Sequence, residues 1–282
     1  MKLSTFYKIY YHHRLVKAQF FLKIYIILIL PFVYFLNLFF FPRKKDLDLI
    51  QKDKDSLKNL SLTSLFNYFN SDKGDLFEDQ YVKPIKRERK KIKGHGYSKF
   101  YEKHFQDFKQ LSINILELGS FHGNASAAFY FYFEKAKIYG GDIFPDLFRY
   151  KSQRIKNFYV DTSNEKSIKQ EIIANDKKFD IIIEDASHSF KDQIISLFLL
   201  FRKIRSKGLF IVEELDFPDT RDDMNIKKEK PTLREILHSI KSDVEFISKY
   251  ISDEDKKYFL DNYKSINIYK GNFNEVAIIQ KK

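Results

Sequence analysis

From Ile113 onward, short apolar runs alternate with amphipathic stretches. Ile113–Leu118, Lys137–Gly140, Asn157–Val160, Phe179–Ile183 and Leu209–Val212 read as five buried strands. Asn124–Glu134, Glu165–Asn175, Phe190–Ile204 and Thr232–Ser242 carry the helical period between and after them. Ser265–Tyr269 and Glu275–Gln280 predict an antiparallel pair around a turn containing Gly271. Strands separated by helices argue an α/β fold: a doubly wound, mostly parallel seven-stranded sheet with an antiparallel C-terminal hairpin.

The first 112 residues follow a different pattern. Residues 20–41 are almost wholly apolar, and no charge falls between Ile24 and Phe41. About 20 such residues cross a bilayer as a helix, with Lys23, Arg43, Lys44 and Lys45 as flanking anchors. Pro31 is placed to kink that helix. A buried or interfacial helix is the alternative. Residues 43–62 read as a charged linker into a short helix near Leu57–Phe69, and His95-Gly96-Tyr97 opens an amphipathic helix running to about Lys109. The expected organisation is a membrane-anchor segment over 1–45, a helical and basic-loop lead-in or lid over 46–110, and a catalytic domain over 111–282.

Charge follows the same division. The net charge is +12, and residues 1–112 hold 22 Lys+Arg against 11 Asp+Glu, so the remainder is close to neutral. The basic excess suits contact with anionic lipid. The run 83–93 is its densest part, readable as a solvated loop or as a patch for an anionic group. No nucleic-acid module accompanies it, so nucleic acid is not an expected partner. With no Cys, a disulfide framework, a thiol nucleophile and a thiolate metal site are all excluded.

The candidate chemistry sits at the strand ends, where open α/β sheets bind ligands. Ile181-Ile182-Ile183 leads straight into Glu184-Asp185-Ala186-Ser187-His188. Strand one ends in Glu117-Leu118-Gly119-Ser120 and reaches Gly123 at a helix start. The spacing is neither a dinucleotide fingerprint nor a P-loop, and Glu117 would repel a pyrophosphate but favour a cationic ligand. Asp142 ends strand two, where an acid can hold two ribose hydroxyls. Asp161 ends strand three, in reach of an adenine amino group. Each acid alone is commonly a turn or cap residue, but Glu117, Asp142, Asp161 and Asp185 in series suit an adenosine ligand carrying an amino acid. S-adenosylmethionine is such a ligand, so Glu117, Gly119, Ser120, Gly123, Asp142 and Asp161 form the candidate donor set.

From about Ser71 to the C-terminus the chain resembles the class I S-adenosylmethionine-dependent methyltransferases, which have a Rossmann-like sheet. More narrowly it resembles the macrocin and mycinamicin sugar O-methyltransferases. The matching residues are Ser71-Asp72-Lys73, His95-Gly96-Tyr97 with Tyr101, Ile115-Leu116-Glu117-Leu118-Gly119, Asp142, Asp161, Asp185-Ala186-Ser187-His188 and Gly208-Leu209-Phe210-Ile211-Val212-Glu213-Glu214. The resemblance implies Mg²⁺ held by Asp185, Glu213 and Glu214, with His188 as the base. Two positions depart from the family pattern: Glu214 stands where the family usually has Asp, and Ala186 where it usually has Gly. Asp216 and Asp219 lie close behind as substitute ligands. His95, Tyr97 and Tyr101 match the family's N-terminal motif and are expected to close over donor or acceptor, or to pack in the core. His12 and His13 read as interfacial, and His122 as a residue that shapes the glycine turn.

The expected activity is O-methylation of a sugar hydroxyl on a glycan, glycolipid or glycoside. The partners are therefore a sugar-bearing acceptor and, through residues 20–41, a membrane. Because S-adenosylmethionine is a cytoplasmic metabolite, the catalytic part should face the cytoplasm. The oligomeric state is not legible. The alternatives are a cephalosporin-hydroxylase-like enzyme on the same fold and a non-catalytic membrane-associated binding protein.

Overall fold

The computed structural model describes residues 2–40, 44–78 and 90–282. Its centre is a seven-stranded sheet of β1 (Asn114–Leu118), β2 (Lys137–Asp142), β3 (Ile155–Tyr159), β4 (Phe179–Glu184), β5 (Ile204–Val212), β6 (Tyr263–Lys270) and β7 (Glu275–Lys281). Their order across the sheet is β6-β7-β5-β4-β1-β2-β3. The first five strands are mutually parallel, β7 runs antiparallel to β5, and β6 antiparallel to β7. The predicted parallel sheet with a terminal hairpin is therefore present.

Side-chain alternation divides the core into two layers. Ile181, Ile183, Ile115 and Ile211 face one layer, while Ile182, Leu116, Phe210 and Val212 face the other. α3 (Leu62–Phe69), α4 (Ser98–Phe105) and α5 (Asn124–Tyr132) fill the first layer, with Phe66, Tyr101, Phe105 and Phe129 fully buried. α6 (Phe190–Leu200), α7 (Leu233–Lys241) and α8 (Asp253–Asn262) fill the second. α8 escapes the sequence pattern because only Phe259 of its ten residues is buried. The supposed linker also holds a helix, Leu47–Asp53, whose first N–H groups donate to the Asp46 side chain. The lead-in is thus part of the core, and Tyr97 and Tyr101 are completely buried in it.

Toward the N-terminus, α1 (Leu3–Ile9) and α2 (Phe20–Phe40) fold against each other. Phe6 and Leu30 are buried, and the Tyr7 hydroxyl donates to the Ile27 carbonyl at 3.1 Å. Among the described residues no helix is long and apolar enough to cross a membrane, so the span expected over residues 20–41 is not found. α2 instead turns one apolar side to α1 and leaves Phe21, Leu28 and Phe32 exposed at 83%, 73% and 65%. Most of the basic run 83–93 lies outside the described residues. Its end, Lys91–Lys93, pairs antiparallel with Leu76–Glu78.

The ends of β1 and β4 touch through backbone. Gly119 has φ +82°, and a Cβ there would lie 1.8 Å from the Asp185 carbonyl oxygen. Glycine is therefore required twice at this position, for its φ and for the close approach. Gly119→Ala is expected to destabilise the chain by about 2–4 kcal/mol. Urea unfolding with an unchanged midpoint would show that the two loops are free to separate.

Candidate functional site

The strand ends enclose a cavity of about 690 Å³. On one side of it, the β1 end turns at Gly119 and Ser120 into Gly123, which has φ +78° and precedes α5. A Cβ on Gly123 would lie 2.6 Å from the Phe148 ring, so packing demands this glycine too. Asp142, at the end of β2, accepts from the Phe121 N–H through Oδ2 and the Phe144 N–H through Oδ1, both at 2.7 Å. These bonds aim a nearly buried carboxylate into the cavity. Burial pushes Asp142 up, against the pull of its two backbone donors. Asp161 accepts from the Ser163 N–H and hydroxyl, so it shapes its own turn as well as lining the cavity. Ser120 lines the cavity with an unpartnered hydroxyl.

The other side of the cavity is built by β4 and β5. Asp185 follows β4, and Glu213 and Glu214 follow β5. Both Glu213 and Glu214 carbonyls accept from the Gln193 side-chain amide, at 3.2 and 3.1 Å, which fixes this turn on α6. Glu214 has φ +45° and His188 φ +54°. For residues with a Cβ these left-handed conformations are uncommon and cost stability. Glu214 is thereby turned from the direction Glu213 takes, and His188 is brought between two acids. His188 Nε2 lies 3.5 Å from Asp185 Oδ1, and Nδ1 lies 3.6 Å from Glu214 Oε2.

Asp185, His188 and Glu214 each offer a ligand atom within 4.8 Å of the others. Among the described residues, His188 Nδ1 and Glu214 Oε2 are buried with no hydrogen-bond partner. Unpartnered buried polar atoms are costly, and these two converge on one point with Asp185. The donors fit a cation: two carboxylates suit a hard divalent ion, and an imidazole nitrogen broadens the choice.

Glu213 is excluded from that cluster. Its Oε1 accepts from the Tyr101 hydroxyl, and its Oε2 takes the Lys73 ammonium at 2.8 Å. Lys73 also pairs with Asp185 and lies 4.0 Å from Glu117. The expected ligand trio Asp185, Glu213 and Glu214 is thus divided, with Glu213 held by Lys73. Asp216 and Asp219 are not placed as substitutes. Asp216 takes Lys270 and the Glu275 N–H, and Asp219 takes Lys230 and the Thr232 hydroxyl.

Tyr97 and Tyr101 support this cluster from the core. The Tyr97 hydroxyl reaches Glu214 Oε1 at 3.5 Å, and His95 Nε2 reaches the same oxygen at 3.2 Å. Only His95 of these three lines the cavity.

Burial sets the electrostatics. It pulls the Lys73 ammonium down, but Asp185, Glu213 and Glu117 together outweigh it and hold Lys73 well above the usual lysine range. Burial, then repulsion from Asp185 and Glu213, pushes Glu214 well up. Glu117, donated to by the Ser126 hydroxyl at 2.5 Å, is pushed up by burial to about 7 against the pull of Lys73. Glu184 lies on the opposite face of the sheet, and burial, with repulsion from Asp185, pushes it to about 8. Burial lowers His188, with Lys73 adding to the effect and Asp185 opposing it. The imidazole is therefore neutral near pH 7, able to accept a proton or a cation.

Two residues matter more than the sequence signals. Lys73 belongs to a quoted motif, but no pattern distinguishes it from the other lysines. His13, expected to be interfacial, lines the cavity beside Asp161, with Nε2 2.9 Å from the Tyr159 hydroxyl and 4.0 Å from Asp161 Oδ2.

No protein-family model matches the chain. Its sequence is similar to demethylmacrocin O-methyltransferase of Streptomyces fradiae, 29% identical over 128 residues, 43% of this chain and 32% of that protein. It is also similar to mycinamicin VI 2''-O-methyltransferase of Micromonospora griseorubida, 27% identical over 128 residues with the same coverage. The chain spans about a third of the length of these curated relatives. Among solved structures, it resembles the MycE methyltransferase from the mycinamycin biosynthetic pathway, in complex with Mg, SAH and mycinamycin VI. The TM-score is 0.59 at 19% identity, over 79% of this chain and 54% of that one. The chain therefore has the class I S-adenosylmethionine-dependent methyltransferase fold, and its sequence resembles the macrocin and mycinamicin sugar O-methyltransferases.

Proposed function

We propose that the chain is an S-adenosylmethionine-dependent O-methyltransferase that acts on a sugar hydroxyl with the help of a divalent cation, for which Mg²⁺ is the first candidate. One observation carries this reading. A single cavity joins the donor-side residues Glu117, Gly119, Ser120 and Asp142 to the Asp185–His188–Glu214 cluster. In this reading Asp142, which lines the cavity, holds the donor ribose. Asp161 sits further along the same wall, in reach of the adenine. The turn from Gly119 to Gly123 leaves room for the donor's amino-acid portion.

Transfer of a methyl group from a sulfonium needs alignment more than covalent help. The acceptor hydroxyl must also lose its proton, and a bound cation supplies Lewis acidity for that loss. Asp185 and Glu214 would hold the cation. His188, neutral and facing both acids, takes the proton. Tyr97 and Tyr101 fix the two glutamates, and His95 borders the acceptor side. In this reading 111–282 is the catalytic part, and the described residues of 46–110 cover it.

Asp142→Asn keeps the shape but weakens a charge-assisted acceptor, so S-adenosylmethionine should bind about tenfold to a hundredfold more weakly. Isothermal titration checks this, and absence of donor binding by the unaltered protein rejects the methyltransferase reading. If donor binds but no methyl group reaches any of a panel of glycosides and glycolipids, the hydroxylase-like alternative gains. Glu214→Gln should remove Mn²⁺ binding seen by electron paramagnetic resonance. His188→Gln should keep Mn²⁺ binding and lose turnover at least a hundredfold. Loss of Mn²⁺ with His188→Gln would make His188 a ligand and not the base.

The acceptor class and the N-terminal helices bear on each other. Phe21, Leu28 and Phe32 lie on one exposed side of α2, with the exposed Lys17 nearby. Such a face suits docking in the plane of an anionic lipid surface. Docking on the cytoplasmic side would bring the cavity to a glycolipid acceptor. The full chain should therefore co-sediment with phosphatidylglycerol-containing vesicles, and the triple substitution Phe21→Glu, Leu28→Glu, Phe32→Glu should abolish it. A full chain that stays in the supernatant removes the membrane from the proposal and leaves a soluble glycoside as acceptor.

A further inference from the structure

The Ser71-Asp72-Lys73-Gly74 and His95-Gly96-Tyr97-Ser98 motifs form one clamped unit. His95 N–H donates to the Asp72 carbonyl at 2.7 Å, Gly96 N–H to Gly74 at 3.0 Å, and Tyr97 N–H to Lys73 at 3.0 Å. This clamp carries the Lys73 side chain, 1% exposed, to the point where the donor and acceptor halves meet. Its ammonium touches Asp185, lies 2.8 Å from Glu213, and reaches to 4.0 Å from Glu117. Asp185 is thus shared: one oxygen pairs with Lys73, the other faces His188 and the cation cluster.

We propose that Lys73 is a built-in cation that limits the acid cluster to one weakly held divalent ion, by occupying the Asp185–Glu213 side and leaving the Asp185–Glu214 side open. This rests on the cation reading given above. Without Lys73, four buried or half-buried carboxylates, Glu117, Asp185, Glu213 and Glu214, would face one another with no resident positive charge. A second fixed positive charge a few ångströms from a divalent ion weakens its binding in a site of reduced dielectric. Removing Lys73 should therefore strengthen cation binding, whereas a lysine that only holds the fold together would weaken it on removal. Lys73 is in this sense a positioning residue. It sets how firmly the cation is held and how Asp185 is directed between the two halves.

The test is Mn²⁺ binding by electron paramagnetic resonance on the full chain. Lys73→Met keeps the aliphatic stem, and its Mn²⁺ affinity should rise at least about tenfold over the unaltered protein. The double variant Lys73→Met, Glu213→Gln removes one charge of each sign and should return close to the unaltered affinity. If Lys73→Met is unfolded alone, millimolar Mn²⁺ should restore its folding and raise its melting temperature more than that of the unaltered protein. Equal or weaker Mn²⁺ binding by folded Lys73→Met, or no rescue of an unfolded one, overturns the proposal. An unaltered protein that binds no Mn²⁺ while Lys73→Met does overturns both the cation reading and the weakly held ion proposed here. Mn²⁺ binding by neither protein defeats both this inference and the cation reading. Binding only by the unaltered protein defeats this inference alone.

Discussion

The edge of the sheet is organised around one buried ammonium. Taking a carboxylate out of water costs several kcal/mol even after relaxation, and this fold gathers Glu117, Asp185, Glu213 and Glu214 at the carboxyl ends of three adjacent strands. Lys73 is the positive charge placed among the first three. It cannot satisfy all of them. Burial therefore still pushes Glu117 to about 7 and Glu214 well up. The result is an edge short of positive charge, and two cationic species could relieve it from opposite sides. A sulfonium donor would approach past Glu117, and a divalent ion would approach between Asp185 and Glu214.

The separation of those two sides follows from backbone. Gly119 brings the β1 loop against the Asp185 carbonyl, so the donor turn and the acid-bearing loop share a wall. Gln193 pins the turn after β5 to α6, and the positive φ of Glu214 sends its carboxylate away from that of Glu213. Two consecutive glutamates thereby do different work. Glu213 is bound to the lead-in through Lys73 and Tyr101, while Glu214 keeps a buried oxygen without a partner.

The sheet and the acids that close its strands were legible because they depend on local pattern. Ile181–Ile183 shows a strand buried on both faces, and each acid that closes a strand is adjacent to it in sequence. Other parts depend on position in space. Lys73 is one of 50 basic residues, and only the clamp between the 71–74 and 95–98 segments brings it to Asp185, 112 residues away. The division of Glu213 from Glu214 rests on a left-handed residue that carries no sequence mark, since neither glycine nor asparagine stands there. The apolar run beginning at Phe20 leaves its placement open for a related reason. Its composition suits a bilayer, but partial packing on α1 gives it a neighbour that periodicity does not reveal.

That packing also explains why the N-terminal helices reach the site at all. They join the main body near the donor cavity by polar contacts: Arg14 with Asp146 at 2.6 Å, His13 with Tyr159 at 2.9 Å, and Lys8 with Glu171 at 3.8 Å. Cation–π contacts add to these, with Lys8 over the Tyr159 ring at 4.3 Å and Arg14 over the Phe144 ring at 5.0 Å. Because His13 faces Asp161 on the cavity wall, the position of these helices sets the shape of one side of the cavity.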